Sequence, residues 1–125
     1  MENCFKNKKL LIVEDDTETG NLLINIFSTL GFNVELSNNG SNALDILNKK
    51  KFDIVLTDIE MPELNGFELI DKIKEKSIHN NNIIILSTHT ISYTNKYINN
   101  KDITVFSKPF NLNELITTIK TKLSE

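Results

Sequence analysis

Short apolar segments alternate with helical patterns along the whole chain, and this alternation strongly limits the folds available to it. Each segment has four or five mostly apolar residues and ends at polar ones, which is typical of strands buried on both faces of a parallel sheet. The predicted strands are residues 10–13, 32–36, 54–57, 83–86 and 103–106. Strands that alternate with helices form a parallel sheet covered on both faces, so we predict a doubly wound, five-stranded α/β fold.

The segments between the predicted strands have the spacing of amphipathic helices. Asp16 is a suitable N-cap for the first helix, and Gly31 follows its end. The apolar positions of this helix are Leu22, Leu23, Ile26, Phe27 and Leu30. Further helices are predicted over residues 41–47, after Gly66, over about 92–99, and from a capping box at 111–114 to residue 123.

The composition argues against several classes of protein. The chain has 125 residues, enough for one domain, and a net charge of −3 with no arginine. Because arginine is the preferred group for bidentate contacts with phosphate and guanine, we expect no direct nucleic-acid binding. The single cysteine favours a reducing compartment. The first nine residues are too polar for a signal peptide and no apolar run is long enough to span a membrane, so we expect a cytoplasmic protein without membrane insertion.

Chemically active side chains follow four of the predicted strands. Glu14 and Asp15 follow the first strand, Asp58 the third, Ser87 the fourth and Lys108 the fifth. The carboxyl ends of parallel strands meet at one edge of a sheet, so these groups are expected to lie close together. Crowded carboxylates are tolerated around a divalent cation such as Mg²⁺, while an ammonium and a hydroxyl suit a phosphoryl group. The pattern predicts a site for phosphoryl transfer.

Four segments, in this order, resemble the motifs of response-regulator receiver domains in two-component signalling. They are LLIVEDD at 10–16, IVLTDIEMP at 54–62 with Asn65-Gly66 after it, IIILS at 83–87 and FSKPF at 106–110. The resemblance covers about residues 8–123 and implies a flavodoxin-like (βα)5 fold, with residues 1–125 as a single receiver domain. It fits both a single-domain regulator of the chemotaxis type and the receiver of a hybrid sensor kinase.

The resemblance implies a function for the acidic residues. Asp58 would be the phosphoacceptor, taking a phosphoryl group from a phosphohistidine on a histidine kinase or phosphotransfer protein. Mg²⁺ would be bound by Glu14, Asp15, Asp58 and the main-chain carbonyl of Glu60. Asp15 and Asp16 are an alternative acidic pair. Glu14 and Asp15 are preferred because the apolar strand ends just before them, which leaves Asp16 to cap the helix.

The resemblance also assigns roles around the fourth and fifth strands. Lys108 would pair with the phosphoryl group, aimed by a cis peptide bond to Pro109. Ser87 would be the switch hydroxyl, with Thr88 as the alternative.

Three further positions concern tuning and switching. Glu60 and His89 occupy positions that tune the phosphoryl lifetime in this family. Val105 stands where the family usually has an aromatic residue that swings inward on activation. Phe106 is adjacent but is expected on the opposite side of its strand.

Two alternative functions remain open on these residues. A degenerate receiver would act only as a protein-interaction module. The intact set of Asp58, Ser87 and Lys108 argues against that alternative, whereas Val105 keeps it open. A phosphatase with an aspartate nucleophile normally needs a second aspartate two residues later, where Glu60 stands. We therefore expect a phosphoacceptor that assists its own phosphorylation and dephosphorylation, not an enzyme acting on an external substrate. Its downstream partner would be a protein target or a covalently linked effector, and the sequence fits both a stand-alone regulator and part of a larger protein.

Overall fold

The structure, a computed structural model, describes residues 5–61, 64–76, 82–87, 103–107 and 109–124, with the Ser87 side chain left out. Five strands and four helices lie in these ranges. They are β1 (Lys9–Val13), α1 (Thr17–Thr29), β2 (Asn33–Ser37), α2 (Gly40–Lys49), β3 (Ile54–Asp58), α3 (Gly66–Glu75), β4 (Ile83–Ser87), β5 (Ile103–Ser107) and α4 (Leu112–Ser124). The helix predicted over about 92–99 lies outside the described residues. All five predicted strands are confirmed to within one residue at each end.

The strands form one parallel sheet in the order β2-β1-β3-β4-β5. The chain adds β2 on one side of β1 and every later strand on the other side, so the order reverses between β1 and β3. In open α/β sheets, ligands bind beyond the carboxyl ends of the strands at such a reversal. The doubly wound, five-stranded fold is therefore confirmed, and its reversal lies where the first and third predicted strands end.

Each face of the sheet carries its own hydrophobic core, because successive side chains of a strand point to opposite faces. On β3, Val55 packs with residues of α2 and α3, whereas Ile54 and Leu56 pack with residues of α1 and α4. On β5, Val105 packs on the α2/α3 face and Phe106 on the α1/α4 face, which confirms that they lie on opposite sides. The inner strands β1, β3 and β4 are covered on both faces, which explains their nearly continuous apolar sequences, whereas the edge strand β2 alternates polar and apolar residues.

Helix α1 begins as predicted but buries a narrower face than expected. Asp16 is its N-cap, and the Asp16 carboxylate accepts a hydrogen bond from the Thr19 amide at 3.1 Å. Leu23 is 3% exposed, but Leu22, also predicted on the apolar face, is 59% exposed. That part of the prediction was wrong, because the buried line of the helix runs through Gly20, Leu23 and Phe27 and turns the neighbouring Leu22 toward solvent.

Helices α3 and α4 both begin with an asparagine cap near the carboxyl edge of the sheet. A capping box is predicted from the sequence at 111–114, and there the Glu114 amide donates a hydrogen bond to Asn111 Oδ1 at 3.0 Å. A reciprocal capping box at Asn65 and Glu68 was missed, with the Glu68 amide donating to Asn65 Oδ1 at 2.9 Å and the Asn65 amide to Glu68 Oε1 at 3.0 Å. The same Asn-x-x-Glu pattern before an apolar run marks both, so the sequence carried the signal for the second one too.

Candidate functional site

Three carboxylates meet where β1 and β3 end side by side. Glu14, Asp15 and Asp58 each place one carboxylate oxygen within 4.8 Å of the others. The register of the two strands explains this proximity. Val13 of β1 pairs with Thr57 of β3, and the residue that follows each of them is acidic. Glu14 and Asp58 are buried, at 4% and 8% exposure, while Asp15 is exposed. Like charges so close repel one another, and a cation placed among them would relieve that repulsion.

Asp16, the alternative member of the acidic pair, is instead the N-cap of α1. Its carboxylate accepts hydrogen bonds from both the amide and the hydroxyl of Thr19. Its own amide donates to Glu14 Oε2 at 3.2 Å, which orients the Glu14 carboxylate at the entry to α1. The structure therefore groups Glu14 and Asp15 with Asp58 and assigns Asp16 to capping.

The main chain around Asp58 is held from several directions. The buried Thr57 hydroxyl donates to the Asp58 carbonyl at 2.9 Å. The Ile59 amide donates to the Leu86 carbonyl on β4 at 3.2 Å, and the Gly66 amide donates to the Ile59 carbonyl at 2.9 Å. These bonds connect the end of β3 to the neighbouring strand and to the start of α3. The Asp58 carboxylate is consequently presented from a fixed backbone.

Glu60 follows this anchored strand end. Ile59 and Met61, on either side of it, are buried in the α2/α3 core at 5% and 9% exposure, whereas Glu60 is exposed. Burial of both neighbours ties the main chain at Glu60 to the domain core while its side chain stays in solvent.

The other predicted site residues are placed in part. The main chain of Ser87 ends β4 and pairs with Ser107 of β5, one position beyond the Asp58–Leu86 pair. Val105 is half-buried, and Pro109 is exposed. Lys108, Thr88 and His89 lie outside the described residues.

Sequence reasoning missed two contributions beside the site. Thr57 was taken only as part of a buried strand, although a hydroxyl in an otherwise apolar run signals a buried hydrogen bond. Gly66 was taken only as the residue before the third predicted helix, but a Cβ added there would lie 2.5 Å from the Asp58 carbonyl oxygen. No sequence pattern reveals the second contact, because it depends on how closely α3 approaches β3.

A parallel sheet of this strand order, with an acidic cluster at its reversal, defines a flavodoxin-like domain, and its three clustered carboxylates fit a divalent cation. The model of the response regulator receiver domain family matches residues 10–120, and the chain belongs to that family. It is thus a receiver domain of two-component phosphorelay signalling. Receiver domains of this family interact with histidine kinases or phosphotransfer proteins.

Curated relatives include proteins of similar and of greater length. The response regulator receiver protein CpdR of Brucella abortus is 30% identical over 116 residues, covering 93% of this chain and 97% of CpdR. Sporulation initiation phosphotransferase F of Bacillus subtilis is 30% identical over 117 residues, covering 91% of this chain and 92% of the relative. The probable transcriptional regulator ycf29 of Pyropia yezoensis is 35% identical over 115 residues, 89% of this chain, which spans only 51% of that relative. The match to the 3',5'-cyclic-nucleotide phosphodiesterase regA of Dictyostelium discoideum spans 12% of the length of that relative.

Solved structures agree with the fold. The receiver domain of a Francisella response regulator superposes with a TM-score of 0.81 at 28% identity, covering 94% of this chain and 98% of that one. TrrA of Thermotoga maritima, solved in complex with Mg²⁺-BeF, superposes with a TM-score of 0.78 at 28% identity, covering 92% and 98%. Among the helices that the structure describes, none has the length and apolar character that crossing a bilayer requires.

Proposed function

We propose that this chain takes a phosphoryl group from a phosphohistidine onto Asp58 with the support of Mg²⁺. The observation that carries the proposal is the cluster in which carboxylate oxygens of Glu14, Asp15 and Asp58 lie within 4.8 Å of one another. An anionic set of oxygen donors is the kind that Mg²⁺ prefers. The relatives named above and the Mg²⁺-BeF complex of TrrA support the same chemistry.

In the proposed step, a carboxylate oxygen of Asp58 forms a bond to phosphorus as the bond from phosphorus to the donor's histidine nitrogen breaks. The imidazole leaves with the electron pair of that bond. Glu14 and Asp15 would hold the cation beside Asp58, with the main-chain carbonyl of Glu60 as a further ligand. Mg²⁺, when bound, neutralises charge on the phosphoryl oxygens. The Thr57 hydroxyl fixes the acceptor's main chain during the transfer.

The remaining roles extend the family resemblance to this chain. Lys108 pairs with the phosphoryl group from the position before Pro109, and Ser87 supplies the switch hydroxyl, with Thr88 as the alternative. Glu60 and His89 tune the phosphoryl lifetime, and with Val105 in place of the usual aromatic residue, signalling depends more on movement of the backbone and helix around residues 88–106. These assignments are part of the proposal.

We further propose the extent of the domain, its cellular compartment and its partners. The chain is a single receiver domain, with residues 8–123 as its core, that works in the cytoplasm as a phosphoacceptor and not as an enzyme on external substrates. Its upstream partner is a histidine kinase or phosphotransfer protein, and its downstream partner is a protein target or a linked effector.

Intact mass spectrometry after incubation with acetyl phosphate tests the proposal. The wild type is expected to gain one phosphoryl group with Mg²⁺ and none without it, and Asp58→Asn is expected to gain none. Asp53→Asn is the matched control, because Asp53 lies just before the opposite end of β3, where its carboxylate accepts a hydrogen bond from the Lys9 amide at 2.7 Å. This control is expected to be phosphorylated like the wild type.

A wild type that gains no phosphoryl group is then titrated with beryllofluoride and Mg²⁺ while amide chemical shifts are followed. If the signals of Asp58 and Ser87 shift in the wild type but not in Asp58→Asn, Asp58 remains the proposed phosphoacceptor. The missing phosphorylation would then mean that acetyl phosphate is not a suitable phosphodonor for this protein. No shift in the wild type would overturn the proposal in favour of a contact-only receiver.

A further inference from the structure

Lysine side chains gather at the amino edge of the sheet, opposite the acidic cluster. In a parallel α/β fold each helix runs back from the carboxyl end of a strand, so the helices end at the amino edge. Every lysine that the structure describes lies near the start of β1 or near the ends of α2, α3 and α4. These amino-edge lysines fall in residues 6–9, 49–51, 72–76 and 120–122.

Contacts between these segments show that the lysines share one edge. The Asp53 amide, just before β3, donates a hydrogen bond to the Lys9 carbonyl at 2.9 Å, and the Lys9 amide donates to the Asp53 carboxylate at 2.7 Å. A pocket at this edge is lined by residues of α4 and of the segment before β1, namely Phe5, Lys8, Lys120, Leu123 and Ser124. The basic surface therefore includes the end of α4, on one face of the sheet, and the ends of α2 and α3, on the other.

Helix ends account for only part of this distribution. Positive charge is favourable near the C-terminus of a helix, which suits Lys49 at the end of α2 and Lys72 and Lys74 in the last turn of α3. Lys6 and Lys9 follow no helix, because they lie before and at the start of β1, and both are exposed. The helix dipoles therefore do not explain why the edge between the helices is basic as well.

Few acids offset the positive charge of this edge. Within the described ranges, the acids nearest to it are Asp53 and Glu75. Glu35 lies in the middle of β2 and is paired with one of the lysines that follow α2, at 2.9 Å. Asp45 and Asp71 precede the last turns of their helices. The amino edge thus has a clear excess of positive charge, although the whole chain is negative.

We propose that the amino edge binds the surface of an anionic lipid bilayer. The lysines are spread over the ends of several helices and strands instead of lining one groove, and this suits a partner that is itself a broad negative surface. Protein interfaces favour arginine and aromatic residues and contain little lysine, and this chain has no arginine. Mobile lipid phosphates need only point charges, which lysine supplies.

The net charge of −3 is compatible with this binding because the two edges are well separated. The strands are five residues long, which at about 3.3 Å per residue places the edges roughly 16 Å apart. That separation is about twice the Debye length of about 8 Å at physiological salt. The acids of the carboxyl edge are therefore largely screened from a bilayer at the amino edge.

The contact is expected to stay at the lipid headgroups. The large apolar side chains that the described part of the chain exposes are Leu22, within α1, and Leu112, at the start of α4. Neither lies at the amino edge, so binding depends on charge and not on insertion. Because the acidic cluster faces away from the bilayer, the inference does not depend on the proposed phosphoryl transfer.

Cosedimentation of the full chain with lipid vesicles tests the inference. One set of vesicles contains phosphatidylglycerol and phosphatidylcholine in equal amounts, and the other contains phosphatidylcholine alone. The wild type is expected to sediment with the first set only, and to be released in about 1 M NaCl, where the Debye length is about 3 Å. A wild type that stays in solution with both sets, or sediments equally with both, would overturn the inference.

Three double variants test whether the amino edge makes the contact. Lys6→Gln with Lys51→Gln is expected to weaken binding by roughly fivefold for each lysine lost. Lys6→Arg with Lys51→Arg keeps both charges and should bind like the wild type. Glu18→Gln with Glu114→Gln is the matched control for net charge, because it removes two exposed charges from the carboxyl edge and should leave binding unchanged. All four side chains are exposed, so the variants are expected to fold.

Two results with these variants would contradict the inference. A double glutamine variant of Lys6 and Lys51 with wild-type affinity would exclude the amino edge as the contact. A control variant that binds as much more tightly as the lysine variant binds more weakly would mean that net charge alone governs binding. Soluble polyglutamate is a further probe, and a chain that binds it but no vesicles would have an acidic protein, not a bilayer, as its partner.

Discussion

Gly66 packs so closely against Asp58 that there is no room for a side chain between them. A Cβ on Gly66 would lie 2.5 Å from the carbonyl oxygen of Asp58 and 3.0 Å from the Cα of Ile59. The first turn of α3 thus rests on the last residue of β3, which is the proposed phosphoacceptor. The start of α3 is therefore packed directly against the end of the acceptor strand at this edge of the sheet.

Gly66→Ala is expected to lower the free energy of unfolding by roughly 1–3 kcal/mol, the usual cost of forcing an extra carbon into a packed site. It should also slow phosphorylation of Asp58 by acetyl phosphate, because the strand end must shift. Urea unfolding and intact mass measure the two effects. Gly20→Ala serves as the control, because a Cβ there would meet only the side chain of Leu36, at 3.1 Å or more. A Gly66→Ala variant as stable and as reactive as wild type would contradict the close packing of Gly66 on Asp58.

Thr57→Val is expected to lower stability by about 1 kcal/mol, because it removes the hydroxyl that donates to the Asp58 carbonyl in a buried position. Phosphorylation should slow in parallel as the acceptor's peptide group loses this anchor. Thr57→Ser keeps the donor and should retain the wild-type phosphorylation rate. Equal rates for the valine and serine variants would show that the hydrogen bond does not position Asp58.

Loss of the charge at Asp15 and loss of the charge at Asp16 are expected to change the Mg²⁺ affinity differently. Asp15→Asn should weaken Mg²⁺ binding by roughly tenfold or more, because it changes a proposed ligand. Asp16→Asn should leave the affinity unchanged, since asparagine is an equally good N-cap and the Asp16 carboxylate is turned to Thr19. Calorimetric titration of both variants decides, and a larger loss in Asp16→Asn would reverse the assignment.

Adjacent leucines on α1 provide a matched pair for stability. Leu23→Ala is expected to cost about 2–5 kcal/mol, because Leu23 is 3% exposed. Leu22→Ala should change stability by no more than about 0.5 kcal/mol, because Leu22 is 59% exposed. Thermal unfolding of the two variants makes the comparison, and similar losses would mean that α1 is rotated relative to the structure described here.

The strands and the acidic cluster were predictable because both depend on local sequence and one general rule. Strands buried on both faces need continuous apolar residues, so their positions were visible in the chain. The ends of parallel strands then meet at one edge, which brought Glu14, Asp15 and Asp58 together without any knowledge of distances. The Asp16 cap was likewise local, since it depends on residues within a single helical turn. The placement of Lys108 and the helix over about 92–99 stay predictions.

The amino-acid sequence by itself determined the order of strands and helices, the receiver class and the acids at the strand ends. Only the tertiary structure decided which face of α1 is buried, so that Leu22 points outward, and how closely Gly66 approaches the main chain at the end of β3. The physical reason is that propensity and periodicity act within one helix or strand. The separation between two backbones is set by the packing of all the side chains around them, and no local pattern records it.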